Sequence, residues 1–308
     1  MGGPLRFGAQ VWAQSATWPD LRDAAVALER DGWDLVLTWD HLAAIEGPRE
    51  QPAFEGWSLL AAWAAVTHRV ELGLLVGANT FRVPALTAKL ATTLDHISGG
   101  RAILGLGAAW FEREHAAYGL DFGTTVGQRL ERLDEALGIV RRLLSGERFD
   151  HAGPAYQLHD AFQSPRPVRA HLPILVGGSG PRKTLRIVAR HADAWDTGGS
   201  LEDVARNDAI LREHCLAVGR DETTIERIVH MPIVLRDTRA AAEDAMSAAL
   251  RHNGVDNLYP GLYGPPGQVA EGLRPYVDLG FSTIVNLLPA PFDRETIARL
   301  GELRSELA

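Results

Sequence analysis

Apolar residues along this chain come in short consecutive runs rather than in alternation. They fall at Arg6–Val11, Trp33–Leu37, Val70–Val76, Ala102–Gly107, Pro173–Gly177, Ala194–Asp196, Ile228–Leu235 and Thr283–Leu287. A strand with one wet face alternates apolar and polar residues, whereas a strand buried on both faces does not. The runs therefore predict parallel strands covered by helices. Helical spacing fills the gaps. One helix follows Thr17, with Pro19 in its first turn, and ends before Gly32. Others are expected at Glu55–Val66, Pro84–Ile97, Gln128–Leu144, Arg182–His191, Val204–Val218, Arg239–His252, Gln268–Leu279 and Arg294–Leu307. Eight strands, each followed by a helix, predict an α/β chain of the (β/α)8 class, a TIM barrel, rather than an open doubly wound sheet. No linker or repeat interrupts the pattern, so one domain over residues 1–308 is expected. Glu147–Ala170, with Pro154, Pro165 and Pro167, and Asn253–Gly267, rich in Gly, Pro and Tyr, read as rim insertions.

Composition narrows the function classes. A chain of 308 residues, 46% of them hydrophobic, suits one barrel of about 250 residues plus insertions and can bury a large core. The formal charge of −8, with no local run of Lys or Arg, argues against nucleic acid and anionic membrane surfaces, which both require a basic face. No apolar run reaches the ~20 residues needed to span a bilayer, and the MGGPLRFGAQ terminus has no apolar signal core. A cytoplasmic location is expected. The single cysteine, Cys215, rules out an internal disulfide and is either a packed small side chain or a reactive thiol. The histidines show no HExxH or comparable spacing, so no metal is expected.

In a (β/α)8 barrel the active site lies at the C-terminal ends of the strands. That rule selects Trp12, then Trp39-Asp40-His41, then Ala78-Asn79, then Gly107-Ala108-Ala109-Trp110, then Gly177-Gly178-Ser179-Gly180, with Asp196 and Asn286 at later strands. Gly177–Thr184 (GGSGPRKT) leaves a strand through glycines and enters a helix at Pro181. Free backbone N–H groups and a helix dipole there form either a phosphate cradle or a plain capping turn. It is neither a Walker A loop, which needs Gly where Arg182 stands, nor a nucleophile elbow, which needs Gly where Pro181 stands. Gly105–Trp110 has Trp110 in the third glycine position of a dinucleotide fingerprint, with no helix expected there. It reads as close backbone approach to a flat ligand or as an ordinary loop. His41 can exchange a proton near neutral pH or serve as a structural histidine. Asn79 can bond a ring edge or a phosphate, or simply form a turn. Trp12, Trp39 and Trp110 map to the same face and favour a planar aromatic ligand, whereas Trp33, Trp57, Trp63 and Trp195 read as packing.

Three segments carry a resemblance. TWDHL at Thr38–Leu42, the run LGLLVGANTFRVPALTAKLATTLDHISGGRAILGLGAAWFEREHAAYG at Leu72–Gly119, and ILVGGSGPRKTLRIVARHADAWDT at Ile174–Thr197 closely resemble the luciferase-like monooxygenase superfamily, above all its F420-dependent members. The likeness runs from about Leu5 to Pro291. It implies that His41, beside Asp40, contacts a deazaflavin and helps handle the proton. It implies a non-prolyl cis peptide at Leu75-Val76, backbone contact of the cofactor with Gly107, Ala108 and Ala109, and a phosphate on Gly177, Gly178, Ser179 and Gly180. The chain departs from the superfamily's sugar-phosphate dehydrogenase at Trp110, where that enzyme has a glutamate acid, and at Ile45, where it has a tryptophan. Sugar-phosphate oxidation is therefore not implied, and Trp110 joins His41 as a candidate catalytic residue beside an apolar, aromatic-lined substrate site.

The resemblance implies hydride transfer between F420 and a small organic substrate in a homodimer. The alternative cofactor is FMN, in a two-component monooxygenase served by a separate reductase. F420 and FMN share a phosphate and a tricyclic ring, but a deazaflavin lacks the N5 on which flavin oxygen chemistry depends. A third reading, a non-catalytic flavin-binding homologue, is disfavoured by the presence of both Asp40-His41 and the glycine cradle.

Overall fold

The computed structural model describes residues 4–308. Strand and helix alternate along the chain in the layout of the (β/α)8 class. The described residues form two compact units. One holds the chain up to Leu72 together with Thr197–Ala205 and Glu226–Ala308; the other holds Gly73–Asp196 and Arg206–Ile225.

In the first unit, strands Leu35–Thr38, Arg6–Val11, Thr283–Leu288 and Glu226–Met231 lie side by side in that order, all parallel. Leu35–Thr38 is buried throughout, as its unbroken apolar run requires. The expected strand Ile228–Leu235 is in fact two, Glu226–Met231 and Ile233–Leu235. Pro232 between them has no N–H for the ladder. Beyond it, the N–H of Ile233 donates to Asn286 Oδ1 at 2.8 Å, and Ile233–Leu235 pairs instead with Leu262–Gly264 in the second rim insertion. Helix Trp18–Arg30 starts at a capping box: Thr17 accepts from the N–H of Asp20, and Asp20 accepts from the N–H of Thr17. Arg6 pairs with Glu71 and Glu226 at the N-terminal ends of the strands.

In the second unit, strands Gly77–Ala78, Ala102–Gly107, Ile174–Gly177 and Ala194–Thr197 are parallel neighbours in that order. Ala102–Gly107 is buried at every position. Asp193 fastens the start of the last two strands. Its carboxylate accepts from the N–H of Ile174 at 2.8 Å, and its own N–H donates to the Ile174 carbonyl at 2.8 Å. Helix Pro84–Ser98 stops at Gly99, which takes the left-handed conformation, φ 69°. The first insertion carries an antiparallel hairpin, Phe149–Ala152 with Gln157–Ala161. A short helix at Glu112–Tyr118, absent from the sequence expectation, follows Trp110. The helix expected from Arg182 begins at Thr184. No helix among the described residues is long and apolar enough to cross a membrane.

Candidate functional site

The strand ends of the first unit carry a row of rings. Trp12, one residue past Arg6–Val11, and Trp39, one past Leu35–Thr38, are 4% and 6% exposed, with ring centroids 5.1 Å apart. Trp39 meets the half-buried imidazole of His41 edge-on at 5.9 Å and 78°. Trp12 meets Tyr259 at 6.3 Å. Three of the expected residues, Trp12, Trp39 and His41, are thus brought together, with Asp40 buried beside them in the chain. Tyr259 was not singled out from the sequence. The tyrosine content of Asn253–Gly267 was its one signal. Its hydroxyl donates to Glu46 Oε2 at 2.6 Å. Burial, then that bond, then the negative charge of Glu46 raise its pKa, so the phenol stays protonated.

Polar contacts fasten this row from behind. Gln14, fully buried, donates through Nε2 to the Glu46 carbonyl at 3.0 Å and accepts from the N–H of Ile45 at 3.1 Å. Gln51 donates to the carbonyls of Glu46 and Asn253 at 3.0 and 3.1 Å. Asn253 donates in turn to the carbonyls of Ala249 and Ala290. Three rim segments are held by groups that satisfy one another.

The strand ends of the second unit are made of backbone. The Leu75-Val76 peptide bond is cis, at the position the resemblance implied. Val76 lies against two glycines. A Cβ on Gly107 would come 2.8 Å from Val76 Cγ2, and one on Gly177 would come 2.9 Å from the same atom. A Cβ on Gly105 would overlap the carbonyl oxygen of Leu74. Gly107 and Gly177 thus leave room for the Val76 side chain, and Gly105 for the main chain of Leu74. Ala109, past Gly107, holds φ 63°, a conformation a non-glycine residue adopts at a cost of about 1 kcal/mol or more. Trp110 follows it, 64% exposed and packed on Phe111 at 5.2 Å.

Ala78 pairs with Gly107, and the Asn79 N–H donates to the Gly107 carbonyl at 3.0 Å. The Asn79 side chain is 2% exposed. Its Nδ2 donates to the Tyr156 hydroxyl at 3.0 Å, while its Oδ1, buried, has no hydrogen-bond partner. Burial is the main influence on Tyr156 and raises its pKa against the opposing bond from Asn79.

The glycine turn departs from a simple cradle. Gly178 has φ 122°, its N–H already donates to the Asp196 carbonyl at 3.1 Å, and its carbonyl accepts from the Trp195 indole at 2.8 Å. Trp195 therefore does more than pack. Ser179 and Gly180 are exposed, and helix Thr184–His191 opens at Lys183 without a side-chain cap. Amides beyond Gly178 are the ones suited to an anion.

The sequence profile described as luciferase-like monooxygenase matches residues 4–260. An F420-dependent glucose-6-phosphate dehydrogenase of Kineococcus radiotolerans is 31% identical over 92% of this chain and 91% of its own length. An uncharacterized protein of Mycobacterium tuberculosis is 32% identical over 58% of this chain; the match spans only 62% of that relative's length. Among solved structures, an F420-dependent secondary alcohol dehydrogenase in complex with an F420-acetone adduct superposes with a TM-score of 0.87 over 99% of this chain and 100% of its own, at 16% identity. A profile match over most of the chain, joined to a near full-length relative above 30% identity, places this protein in the luciferase-like monooxygenase family.

Proposed function

We propose that this oxidoreductase transfers a hydride between the deazaflavin F420 and an apolar or aromatic organic substrate, within a single domain. The observation that carries the reading is the buried, partnerless Oδ1 of Asn79, whose own N–H is bonded to the Gly107 carbonyl at the end of a glycine-rich strand. A flat polar ring suits that acceptor: the oxygen takes an N–H or O–H from the ring edge.

Within the second unit, Leu75, Val76 and Ala78 would back the ring, and the backbone of Gly107, Ala108 and Ala109 would line it. Ser179, Gly180 and the start of helix Thr184–His191 would hold the phosphate. Gly178 shapes that turn rather than donating its own N–H, which is already engaged. Bound F420 would supply or accept the hydride. In the first unit His41, backed by Trp39, is assigned the proton that accompanies it. Trp12 and Trp39 offer apolar surface for substrate, and Trp110 does the same in its own unit.

The second reading, a monooxygenase using reduced FMN with a partner reductase, is favoured by the family's own description. Titration of the apoprotein with F420 and with FMN decides between them. Binding of F420 at least ~10-fold tighter supports the first reading, and the reverse order overturns it. Gly178 is a poor place to test the phosphate, since any side chain at φ 122° is strained. Ser179→Asp adds a negative charge at an exposed position instead. It is expected to weaken F420 binding at least ~10-fold, and unchanged affinity would move the phosphate elsewhere.

A further inference from the structure

The connection from Leu144 to Ile174 is far longer than the ~2–6 residues usual between a barrel helix and the next strand. It carries the hairpin, and the tip of that hairpin is fastened by one carboxylate. Glu135, on helix Val126–Leu144, accepts from the N–H groups of Ala155 and Tyr156, each at 3.0 Å, and from His151 Nε2 at 2.8 Å. Gly153 makes room for this, because a Cβ there would overlap Glu135 Oε1. The Gly153 N–H closes the tip on the Tyr156 carbonyl at 3.0 Å. Tyr156 is thereby held through its own main chain, and its hydroxyl meets Asn79 Nδ2.

A carboxamide can sit in two orientations that exchange its nitrogen and oxygen. An acceptor on one side selects the orientation that turns Nδ2 towards it and leaves Oδ1 pointing away. A buried oxygen left unsatisfied is unfavourable unless a ligand donor completes it. We propose that Tyr156 is a positioning residue for the cofactor: held at the hairpin tip by Glu135, it fixes the Asn79 amide so that Oδ1 accepts a hydrogen bond from a ring N–H or hydroxyl of the bound deazaflavin. This rests on the reading of these strand ends as the cofactor site. It adds a role for the hairpin and for two residues that neither strand-end position nor resemblance selects.

The experiment is a double-mutant cycle read as F420 affinity of the apoprotein, with FMN titrated in parallel. Tyr156→Phe keeps the ring and removes the acceptor, and should weaken F420 binding about 5–10-fold without lowering the melting temperature. Asn79→Ala should weaken it at least as much. In the Asn79→Ala background, Tyr156→Phe should then do nothing further, since its effect passes through the amide. In 15N-labelled protein the Asn79 side-chain amide signal should shift on addition of F420 in the wild type and lose most of that shift in Tyr156→Phe, which a purely structural role would not produce. His159→Ala, on the exposed flank of the same hairpin, is the control and should bind F420 normally. If Tyr156→Phe does not fold, Glu135→Gln replaces it, with a smaller loss of about 3-fold that again requires Asn79.

Wild type that binds F420, with Tyr156→Phe binding equally well or losing the same affinity with and without Asn79, overturns this inference and leaves the cofactor reading standing. Wild type that binds neither F420 nor FMN overturns both.

Discussion

The two units finish their strands in opposite ways. In the first, Trp12, Trp39, His41 and Tyr259 present side chains, and a buried glutamine with its polar neighbours holds them. In the second, Gly107, Gly177 and Ala109 end their strands with little or no side chain, and the Val76 side chain fills the space a Cβ on either glycine would take. Side chains offer apolar area and titratable atoms, each removable alone. Main chain offers C=O groups that no substitution deletes and N–H groups that only proline removes. A substitution in the ring row therefore reports on chemistry, and one in the glycine wall reports on packing first.

The largest expected effect belongs to the ring row. His41→Asn should lower turnover of F420H2 with an enone acceptor about 10²–10⁴-fold while leaving F420 affinity nearly unchanged. Full activity in steady-state assays would take the proton role away from this row. The glycine wall should answer in stability instead. Gly107→Ala forces a methyl against Val76 and should destabilise by ~1–3 kcal/mol in denaturant unfolding. Val76→Ala in the same chain should recover part of that loss. A double variant no more stable than Gly107→Ala alone would mean that Val76 is not what excludes the side chain.

A smaller effect is expected at Asp193, which pins the start of the glycine-ended strand. Burial opposes its charge, but the Ile174 N–H, Arg141 and His171 outweigh burial and lower its pKa below the ordinary 3.8. A carboxylate with a depressed folded pKa stabilises fully above the unfolded value and loses that contribution as pH falls through the folded one. Asp193→Asn should therefore be less stable by about 1 kcal/mol at pH 7 and show a shallower decline below about pH 4. Parallel urea curves for both proteins across that range would disprove the assignment. The smallest effect returns to the ring row. Tyr259→Phe keeps the ring on Trp12 and loses only the bond to Glu46, so the substrate KM should rise about 2–5-fold with kcat unchanged. A larger change in kcat than in KM would give the hydroxyl a chemical role.

Period and punctuation made most of the fold legible. Arg6–Val11 and Ala102–Gly107 have the bounds expected from their apolar runs, because a doubly buried strand cannot hide its composition. The hairpin was not legible as strands. RFDHA and YQLHDA are largely polar, and what orders them is Glu135, not a buried face. The late start of helix Thr184–His191 has a similar cause. Pro181 is a common first helical residue, yet here it belongs to the exposed turn that follows Gly180.

The strand-end rule could select residues one at a time, which is why Trp12, His41, Asn79 and Gly177 were in view. Tyr156 was not, since its role arises from a contact with Asn79 across 77 positions of sequence. Trp195 sits inside a strand pattern and so reads as packing; its ring is indeed buried, and only its indole N–H, spent on the Gly178 carbonyl, reveals the second duty.

The fastening of the hairpin has an evolutionary consequence. Glu135 grips two main-chain N–H groups, which any residue but proline provides, so most flanking side chains are free to drift. Gly153 is the exception, because a side chain there would take the space of the carboxylate. Among descendants of one ancestor, Glu135 and Gly153 should be kept or lost together while Asp150, His159 and Asp160 vary independently. The smallest transplantable cassette would be the hairpin with the helix that carries Glu135, and grafting the hairpin without that helix should leave its tip unmoored.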